Sequence, residues 1–254
     1  LIEGRAGVGK TQIAATMSEL LDTELIRLQC YEGLDVNAAL YEWNYPKQLL
    51  WIRMNERGNL SPSEMETEIF GRQFLLERPL LAALTKEKAP VLLIDEVDRA
   101  DEEFEAFLLE ILSEFQVTIP ELGTIKASNK PLVILTSNRT RDLSDALRRR
   151  CLYLWVDYPE LQKELQIVRK KVEGVSEQLA RQVCEFVQAT RTEGLGRNPG
   201  VSETLDWTTA MVALHMDYLD PEVVTQTVGT LIKDADDLNN FKKTTIERII
   251  QSIG

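Results

Sequence analysis

The apolar residues of the first 157 positions form short continuous runs separated by stretches with helical spacing. The continuous runs predict buried strands, whereas apolar residues three and four positions apart predict amphipathic helices. Strands that alternate with helices favour an α/β fold with a parallel sheet covered on both faces. The predicted strands are the end of one at Leu1–Glu3, then ELIRL (24–28), VLLID (91–95), PLVILTS (131–137) and LYLWV (152–156). The predicted helices that flank them are 10–21 and 101–115.

Two further segments of this region have patterns of their own. Residues 34–84 are mostly helical in pattern, with breaks at Tyr45-Pro46, around Gly58 to Pro62, and at Arg78-Pro79. Residues 115–128 (FQVTIPELGTIKAS) predict a β-hairpin, because alternating apolar residues flank a four-residue Pro-Glu-Leu-Gly turn.

The pattern changes after Tyr158-Pro159, where only helical spacing remains. Val175, Leu179 and Val183 begin one such stripe. We therefore predict a boundary near 157, with an α/β domain over 1–157 and an all-α domain over 158–254.

Composition narrows the class of protein. The net charge of −12, from 29 basic and 41 acidic residues, argues against broad nucleic-acid binding, which needs a basic face. No apolar run approaches the roughly 18 residues that predict a membrane span. The three cysteines are far apart and form no C-x-x-C pair, which favours reduced thiols and a cytoplasmic location.

The strongest chemical motif is GRAGVGKT, which satisfies G-x-x-x-x-G-K-[ST] between a strand end and a helix start. In such a P-loop the backbone N–H groups surround phosphate oxygens, Lys10 reaches the β and γ phosphates, and the Thr11 hydroxyl ligates Mg²⁺. A chance glycine-rich turn is the alternative, and the strand-to-helix context argues against it. The predicted nucleotide-binding residues are Gly4, Arg5, Ala6, Gly7, Val8, Gly9, Lys10, Thr11 and Gln12.

A second motif, VLLIDE (91–96), places two acids at the end of a buried strand. Asp95 is predicted to hold Mg²⁺, and Glu96 to activate a water molecule for attack on the γ-phosphate. The pair of motifs predicts ATP hydrolysis with Mg²⁺ as the metal.

The ordered series GRAGVGKT, VLLIDEVDRA, LVILTSN and DALRRRC resembles an AAA+ ATPase, and FQVTIPELGTI, RTRDLSDALRRRCLYLWVDYP and NPGVSETLDW resemble its MoxR-like branch. The resemblance covers essentially the whole chain. It implies a P-loop NTPase sheet of order 5-1-4-3-2, a C-terminal α-helical lid, a helix-2 insert within 29–84 and the hairpin before sensor 1 at 115–128. It also implies Asn138 as sensor 1 and a homo-oligomeric ring, commonly a hexamer, in which the insert and hairpin face the pore or the partner.

Five arginines lie between residues 134 and 151 and form either a nucleic-acid patch, a solvated helix end or a group with one anionic target. The resemblance implies the third, with Arg150 reaching the neighbouring subunit's nucleotide and Arg149 as second choice. A cation at a helix C-terminus is also favourable by about 0.3–1 kcal/mol through the helix dipole alone. We expect one such finger and at least one ordinary helix-end charge.

Three departures from the family pattern concern nucleotide affinity. The family segment before the P-loop, which helps hold adenine, is not in this sequence, so we expect weaker nucleotide binding. Arg5-Ala6 stands where a proline is usual before the glycine. Gly200 occupies the expected sensor-2 position, which leaves Arg197 as the candidate sensor-2 arginine.

The leading hypothesis is an ATPase ring that remodels a partner protein, with a client or a protein carrying a von Willebrand A domain as the partner that the resemblance implies. A nucleotide-dependent binding module with little hydrolysis is the second hypothesis. A DNA-acting AAA+ motor subunit is the third, against which the acidic charge argues.

Overall fold

The computed structural model describes residues 1–55 and 61–253. Part of the predicted break around Gly58 to Pro62 therefore lies outside the described residues. The strands are β1 (Ile2–Gly4), β2 (Leu25–Gln29), β3 (Tyr41–Trp43), β4 (Leu75–Glu77), β5 (Val91–Asp95), β6 (Gln116–Ile119), β7 (Gly123–Lys126), β8 (Leu132–Ser137) and β9 (Leu154–Val156). The helices are α1 (Lys10–Leu20), α2 (Val36–Leu40), α3 (Tyr45–Asn55), α4 (Pro62–Ile69), α5 (Pro79–Thr85), α6 (Glu102–Glu114), α7 (Asp145–Arg150), α8 (Leu161–Lys171), α9 (Glu177–Thr190), α10 (Val201–Ala213), α11 (Pro221–Thr227), α12 (Ala235–Asn240) and α13 (Lys243–Ser252).

Five strands form the central sheet in the order β9-β1-β8-β5-β2. Numbered as core strands along the chain, this is 5-1-4-3-2, so the implied order and the α/β fold class are confirmed. The β1–β8, β8–β5 and β5–β2 pairs are parallel. All five residues of β5 are buried, as expected for a central strand of a parallel sheet that is covered on both faces.

The chain groups into two compact units. One consists of Leu1–Glu3 and Lys10–Trp155, and the other of Gly4–Gly9 with the residues from Val156 onward. The domain roles assigned to 1–157 and 158–254 stay predictions. Among the described residues, no helix is long and apolar enough to cross a membrane.

Segment 34–84 differs from its helical prediction by containing two short strands. β3 and β4 pair antiparallel, with Tyr41 opposite Glu77 and Trp43 opposite Leu75. Local periodicity cannot detect a three-residue strand whose partner is distant in sequence. The prolines after Tyr45 and Arg78 lie in the first turns of α3 and α5, where a missing N–H is harmless.

The hairpin region 115–128 pairs β6 with β7 antiparallel, from Gln116 opposite Lys126 to Ile119 opposite Gly123. Ile119 is fully buried, and Thr118 and Thr124 share a hydroxyl hydrogen bond of 3.0 Å on the exposed face. This alternation is what a strand pair with one packed face requires.

The C-terminal unit has its own apolar core around Phe186 and Trp207, whose ring centroids lie 5.2 Å apart. Beside it, the Arg191 guanidinium donates two 2.7 Å hydrogen bonds to Glu164, one to each carboxylate oxygen. Both side chains are buried, and Arg191 also donates from Nε to the carbonyl oxygen of Pro199 at 2.8 Å. This bidentate pair ties the end of α9 to α8 and to the loop before α10.

We expect Arg191→Met to lower the free energy of unfolding by about 3–5 kcal/mol, because it leaves the Glu164 carboxylate buried without its cation. Urea denaturation followed by circular dichroism measures this. The matched control is Arg181→Met, since Arg181 is exposed and lies 4.0 Å from Glu185; it should change stability by less than about 0.5 kcal/mol. Equal effects of the two substitutions would contradict this account of the pair.

The three cysteines differ sharply in accessibility. Burial raises the pKa of Cys30 to about 12, with added effects of nearby carboxylates, and burial likewise raises the pKa of Cys184 to about 12. Cys151 is half-buried. We expect a thiol reagent at pH 8 to modify Cys151 first, because the thiolate is the reactive form and access is required. Mass spectrometry of the native protein checks this, and rapid labelling of Cys30 or Cys184 would contradict it.

Candidate nucleotide-binding site

The loop Gly4–Gly9 precedes α1 and has the backbone conformation that its glycines permit. Gly7 and Gly9 have φ angles of +71° and +91°, in the region that strongly favours glycine. The first helical residue after the loop is Lys10. A glycine loop that leads directly into a helix N-terminus is the arrangement that binds phosphate groups in P-loop proteins.

Lys10 is buried, and its Nζ donates a 2.7 Å hydrogen bond to Oδ1 of Asn138 at the end of β8. Burial lowers the pKa of Lys10, while Asp98, Asp95 and Glu96 act in the opposite direction. An anion close to the buried ammonium would favour its charged form, so a bound phosphate would oppose the effect of burial on the pKa of Lys10.

Asp95 is buried at the end of β5 and is held by two hydroxyls. Thr136 donates to Oδ1 at 2.5 Å, and Thr11 lies 3.2 and 3.3 Å from the two carboxylate oxygens. Thr11 and Asp95 were predicted as the metal ligands, and the structure brings them together. A hydroxyl and a carboxylate are oxygen donors of the type that Mg²⁺ takes, with waters and nucleotide phosphates completing its shell.

No cluster of three or more histidine, cysteine, aspartate or glutamate side chains suited to a metal is found in the part of the chain that the structure describes. Asp95 and Thr11 supply one carboxylate and one hydroxyl, which are donors that would fit a cation whose remaining ligands come from water and a bound nucleotide.

Glu96 follows Asp95 and adopts a left-handed backbone conformation with φ +54°. Its backbone N–H donates to Thr136 Oγ1 at 3.0 Å, and its carboxylate accepts from Asn138 Nδ2 at 3.2 Å and Gln29 Nε2 at 3.1 Å. Its side chain remains 31% exposed, so water can reach it. Backbone strain of this kind is concentrated at functional sites, where it directs a side chain.

Asp98 anchors the segment that carries Asn138. Its buried carboxylate accepts from the backbone N–H groups of Asn138 at 3.2 Å and Thr140 at 2.8 Å, and from the Thr140 hydroxyl at 2.7 Å. Asp98 therefore links the turn after β5 to the end of β8 and fixes the position of Asn138 relative to Lys10.

We expect Asp98→Asn to lower the free energy of unfolding by about 2–3 kcal/mol, because an amide cannot accept all these hydrogen bonds with a charged oxygen. Urea denaturation is the measurement. Asp142→Asn is the control, since Asp142 is 84% exposed and its ion pairs are 3.6 Å and longer. An unchanged midpoint for Asp98→Asn would show that the anchor is dispensable.

The five arginines of the 134–151 segment divide by their partners. Arg139 and Arg148 lie within 3.9 and 3.2 Å of the buried Glu3 carboxylate, and Arg141 pairs with the buried Glu105. Arg149 and Arg150 are exposed at the end of α7 and make no ion pair with the described residues. Three of the five arginines thus pair with carboxylates of this chain, which argues against a nucleic-acid patch formed by all five. Arg149 and Arg150 remain able to contact an external anion.

The start of α10 lies against the P-loop within the C-terminal unit. Ser202 N–H donates to the Gly7 carbonyl at 3.1 Å, and Glu203 accepts from the Gly200 N–H at 3.0 Å. A Cβ at position 200 would lie 2.7 Å from the Ala6 carbonyl oxygen, so this position has no room for an arginine side chain.

Three further residues that the sequence predicts to bind the nucleotide have exposed side chains. Arg197 is exposed, and its backbone N–H donates to Asp237 at 3.0 Å. Gln12 is exposed on the first turn of α1, and Arg5 is exposed in the loop. The roles of Arg197, Gln12 and Arg5 toward a nucleotide stay predictions.

Sequence reasoning missed four residues that hold this site: Arg27, Gln29, Asp98 and Thr136. Arg27 and Gln29 lie on one face of β2, and Gln29 pairs in register with Asp95. Thr136 precedes Asn138 by two positions on β8. Polar residues alternate with apolar ones at these strand ends, and this pattern could have marked them as candidates. Which of them meet in the folded chain depends on the strand register, and the sequence does not show that register.

The chain is similar to several known proteins. Residues 1–151 match the model of the AAA domain, dynein-related subfamily. An uncharacterized protein of Staphylococcus epidermidis is 26% identical over 198 residues, which are 76% of this chain and 68% of that protein. The Holliday junction branch migration complex subunit RuvB of Thermotoga petrophila is 24% identical over 200 residues, 74% of this chain and 59% of RuvB.

Among solved structures, a point mutant of Thermotoga maritima RuvB superposes with a TM-score of 0.52 at 18% identity, over 93% of this chain. The present chain spans 64% of that RuvB chain, and this likeness concerns the fold. A family model that covers residues 1–151, a P-loop that begins at Gly4 and a 5-1-4-3-2 sheet lead to one conclusion: the chain belongs to the dynein-related subfamily of AAA domains, within the P-loop NTPases.

Proposed function

We propose that the protein hydrolyses ATP with Mg²⁺ and does so as a homo-oligomeric ring, which in MoxR-like ATPases is commonly a hexamer. The energy of hydrolysis is used to remodel or mature a partner protein, in the manner of MoxR-like ATPases. One observation carries the hydrolytic part: direct hydrogen bonds at the carboxyl ends of β5 and β8 join Lys10 to Asn138, Asn138 to Glu96, and Thr11 to Asp95. These pairs are 128, 42 and 84 positions apart in the chain, so the fold itself assembles the set.

Each side chain has a distinct chemical task in this proposal. Lys10 would bind β and γ phosphate oxygens in place of Asn138, and Thr11 with Asp95 would hold Mg²⁺. When bound, Mg²⁺ would neutralise phosphate charge. Glu96 accepts the proton of the attacking water, while Asn138, already bonded to Glu96 at 3.2 Å, orients that water against the γ-phosphate.

Phosphate release beside calorimetric ATP titration tests the hydrolytic part. We expect binding and Mg²⁺-dependent release, with release abolished by a chelator. Binding without release would favour the second hypothesis, a nucleotide-dependent binding module. Absence of both would contradict the proposal.

Support for a partner protein comes from the insert region. Tyr45, Leu49, Leu50 and Met54 on α3 are 60%, 62%, 60% and 76% exposed, which is unusual for four large apolar side chains on one helix. The MoxR resemblance implies that this segment faces the pore of the ring or the remodelled partner. Proteins retained by ATP-loaded Glu96→Gln, but not by the same variant with Leu49→Asp, would identify this partner.

A DNA-acting motor is the alternative that the RuvB relative favours. The net charge of −12 and the pairing of Arg139, Arg141 and Arg148 with acids oppose it. Stimulation of phosphate release by DNA, lost as salt is raised, would replace the proposed partner class.

A further inference from the structure

Arg27 of β2 ion-pairs with Asp95, the carboxylate that we assign to the metal. Its Nε and Nη2 lie 3.1 and 2.5 Å from Oδ2 of Asp95, and Nη2 also donates to Oε1 of Gln29 at 2.5 Å. The parallel register brings this about, since Gln29 pairs with Asp95 and Arg27 precedes it on the same face of the strand. Because both guanidinium nitrogens of Arg27 contact the same oxygen of Asp95, the interaction is a hydrogen-bonded ion pair and not only a long-range attraction.

The Asp95 carboxylate is buried and needs a compensating charge. Its Oδ1 accepts from the Thr136 hydroxyl, and both oxygens lie within 3.3 Å of Thr11 Oγ1, so these neutral donors leave the charge itself to a cation. Arg27 supplies that cation by direct contact with Oδ2.

A divalent cation and a guanidinium compete for such a carboxylate. Both are positive, and close occupation of one buried group by two cations is repulsive. Arg27 can leave readily, because its side chain is 53% exposed whereas that of Asp95 is 4% exposed. The arginine can therefore turn into water while the carboxylate stays in place.

We propose that Arg27 is a displaceable counter-cation of Asp95, which lowers the affinity of the free site for divalent metal and so sets the Mg²⁺ concentration at which the site fills. The inference rests on the proposed function only in assigning the metal to Asp95 and Thr11. Under this proposal Arg27 is a positioning residue that acts on the metal through Asp95, and its removal tightens metal binding. Loss of a residue that only supports the structure of the site would instead weaken metal binding.

The test is a Mn²⁺ titration of the nucleotide-free protein followed by electron paramagnetic resonance, which reports free Mn²⁺ directly. We expect Arg27→Gln to lower the Mn²⁺ dissociation constant by about tenfold, which matches the smallest change in proton affinity that a neighbouring arginine causes in an aspartate. Arg27→Lys keeps the charge and should stay near the parent. Arg78→Gln is the matched control, because Arg78 is 45% exposed and lies 2.5 Å from Glu42, remote in sequence from Asp95.

An unchanged or weaker Mn²⁺ affinity in Arg27→Gln would overturn the proposal, as would an equal tightening in Arg78→Gln. The Arg27→Ala variant provides a second test of the proposal. Added guanidinium chloride at low millimolar concentration should raise the Mn²⁺ dissociation constant of this variant toward that of the parent. The absence of such a rise would count against displacement. A parallel Mg²⁺ titration of fluorescent ATP-analogue binding should show the same ordering. Because the Mn²⁺ arm needs neither nucleotide nor turnover, it can fail while hydrolysis is found, or succeed where hydrolysis is absent.

Discussion

Replacing Glu96 with Gln is expected to reduce Mg²⁺-dependent phosphate release by about 10²-fold or more, the usual contribution of a general base. The amide keeps the size of the side chain, and its single oxygen can still accept from Asn138 or from Gln29, but it cannot accept a proton from water. ATP binding should persist, because Lys10, Thr11 and Asp95 are unchanged. Steady-state phosphate release and calorimetric titration together measure the two effects.

Glu103→Gln is the control for this variant, since Glu103 is exposed on the first turn of α6. It should turn over like the parent. If Glu96→Gln also turned over like the parent, Glu96 would not be the base. If it lost binding as well as turnover, the substitution would have damaged the site, and the assignment of a purely chemical role would be wrong.

Replacing Arg150 with Ala is expected to lower turnover by about 10³-fold or more, as loss of an arginine finger does. Arg150 is exposed and makes no ion pair within the described part of its own chain, so the loss cannot arise from a broken internal pair. The physical reason is that a guanidinium supplied by a neighbour neutralises charge that develops on the γ-phosphate. Phosphate release and the assembly state from light scattering are the measurements.

Arg149→Ala is the matched control, because Arg149 is the adjacent residue with the same charge and is likewise exposed. Successive helical residues point about 100° apart, so the two side chains cannot serve one phosphate equally. A loss confined to Arg149→Ala would move the finger to that residue. Full activity in both variants would contradict a finger on α7.

The sequence predicted the parts of this molecule that depend on local pattern. β5 begins and ends where the continuous apolar run VLLID does, and α6 lies within the predicted 101–115 with Asp101 as its N-cap. The P-loop could be found because its glycines and Lys10-Thr11 are contiguous. The strand order followed from the resemblance and is confirmed by the sheet.

The features that depend on contacts between residues distant in sequence could not be predicted. β3 and β4 are each three residues long and lie more than 30 positions apart, a pairing that no window of periodicity can detect. The contact between Arg27 and Asp95 could not be predicted from the sequence, because Arg27 lies beside Asp95 only once β2 and β5 are aligned. The residues of the arginine-rich segment left three interpretations open, because the sequence does not show that the buried Glu3 and Glu105 pair with three of the five arginines and leave two exposed.

We expect the catalytic carboxylate and the finger to act together at a subunit boundary, which can be measured as phosphate release by an equimolar mixture of Glu96→Gln and Arg150→Ala. Each variant alone should be nearly inactive. In a randomly mixed closed ring with head-to-tail interfaces, about a quarter of the boundaries pair an intact Glu96 with an intact Arg150. The mixture should therefore recover toward that fraction of parent activity, whereas a mixture no more active than the separate variants would show that Glu96 and Arg150 do not act across a boundary.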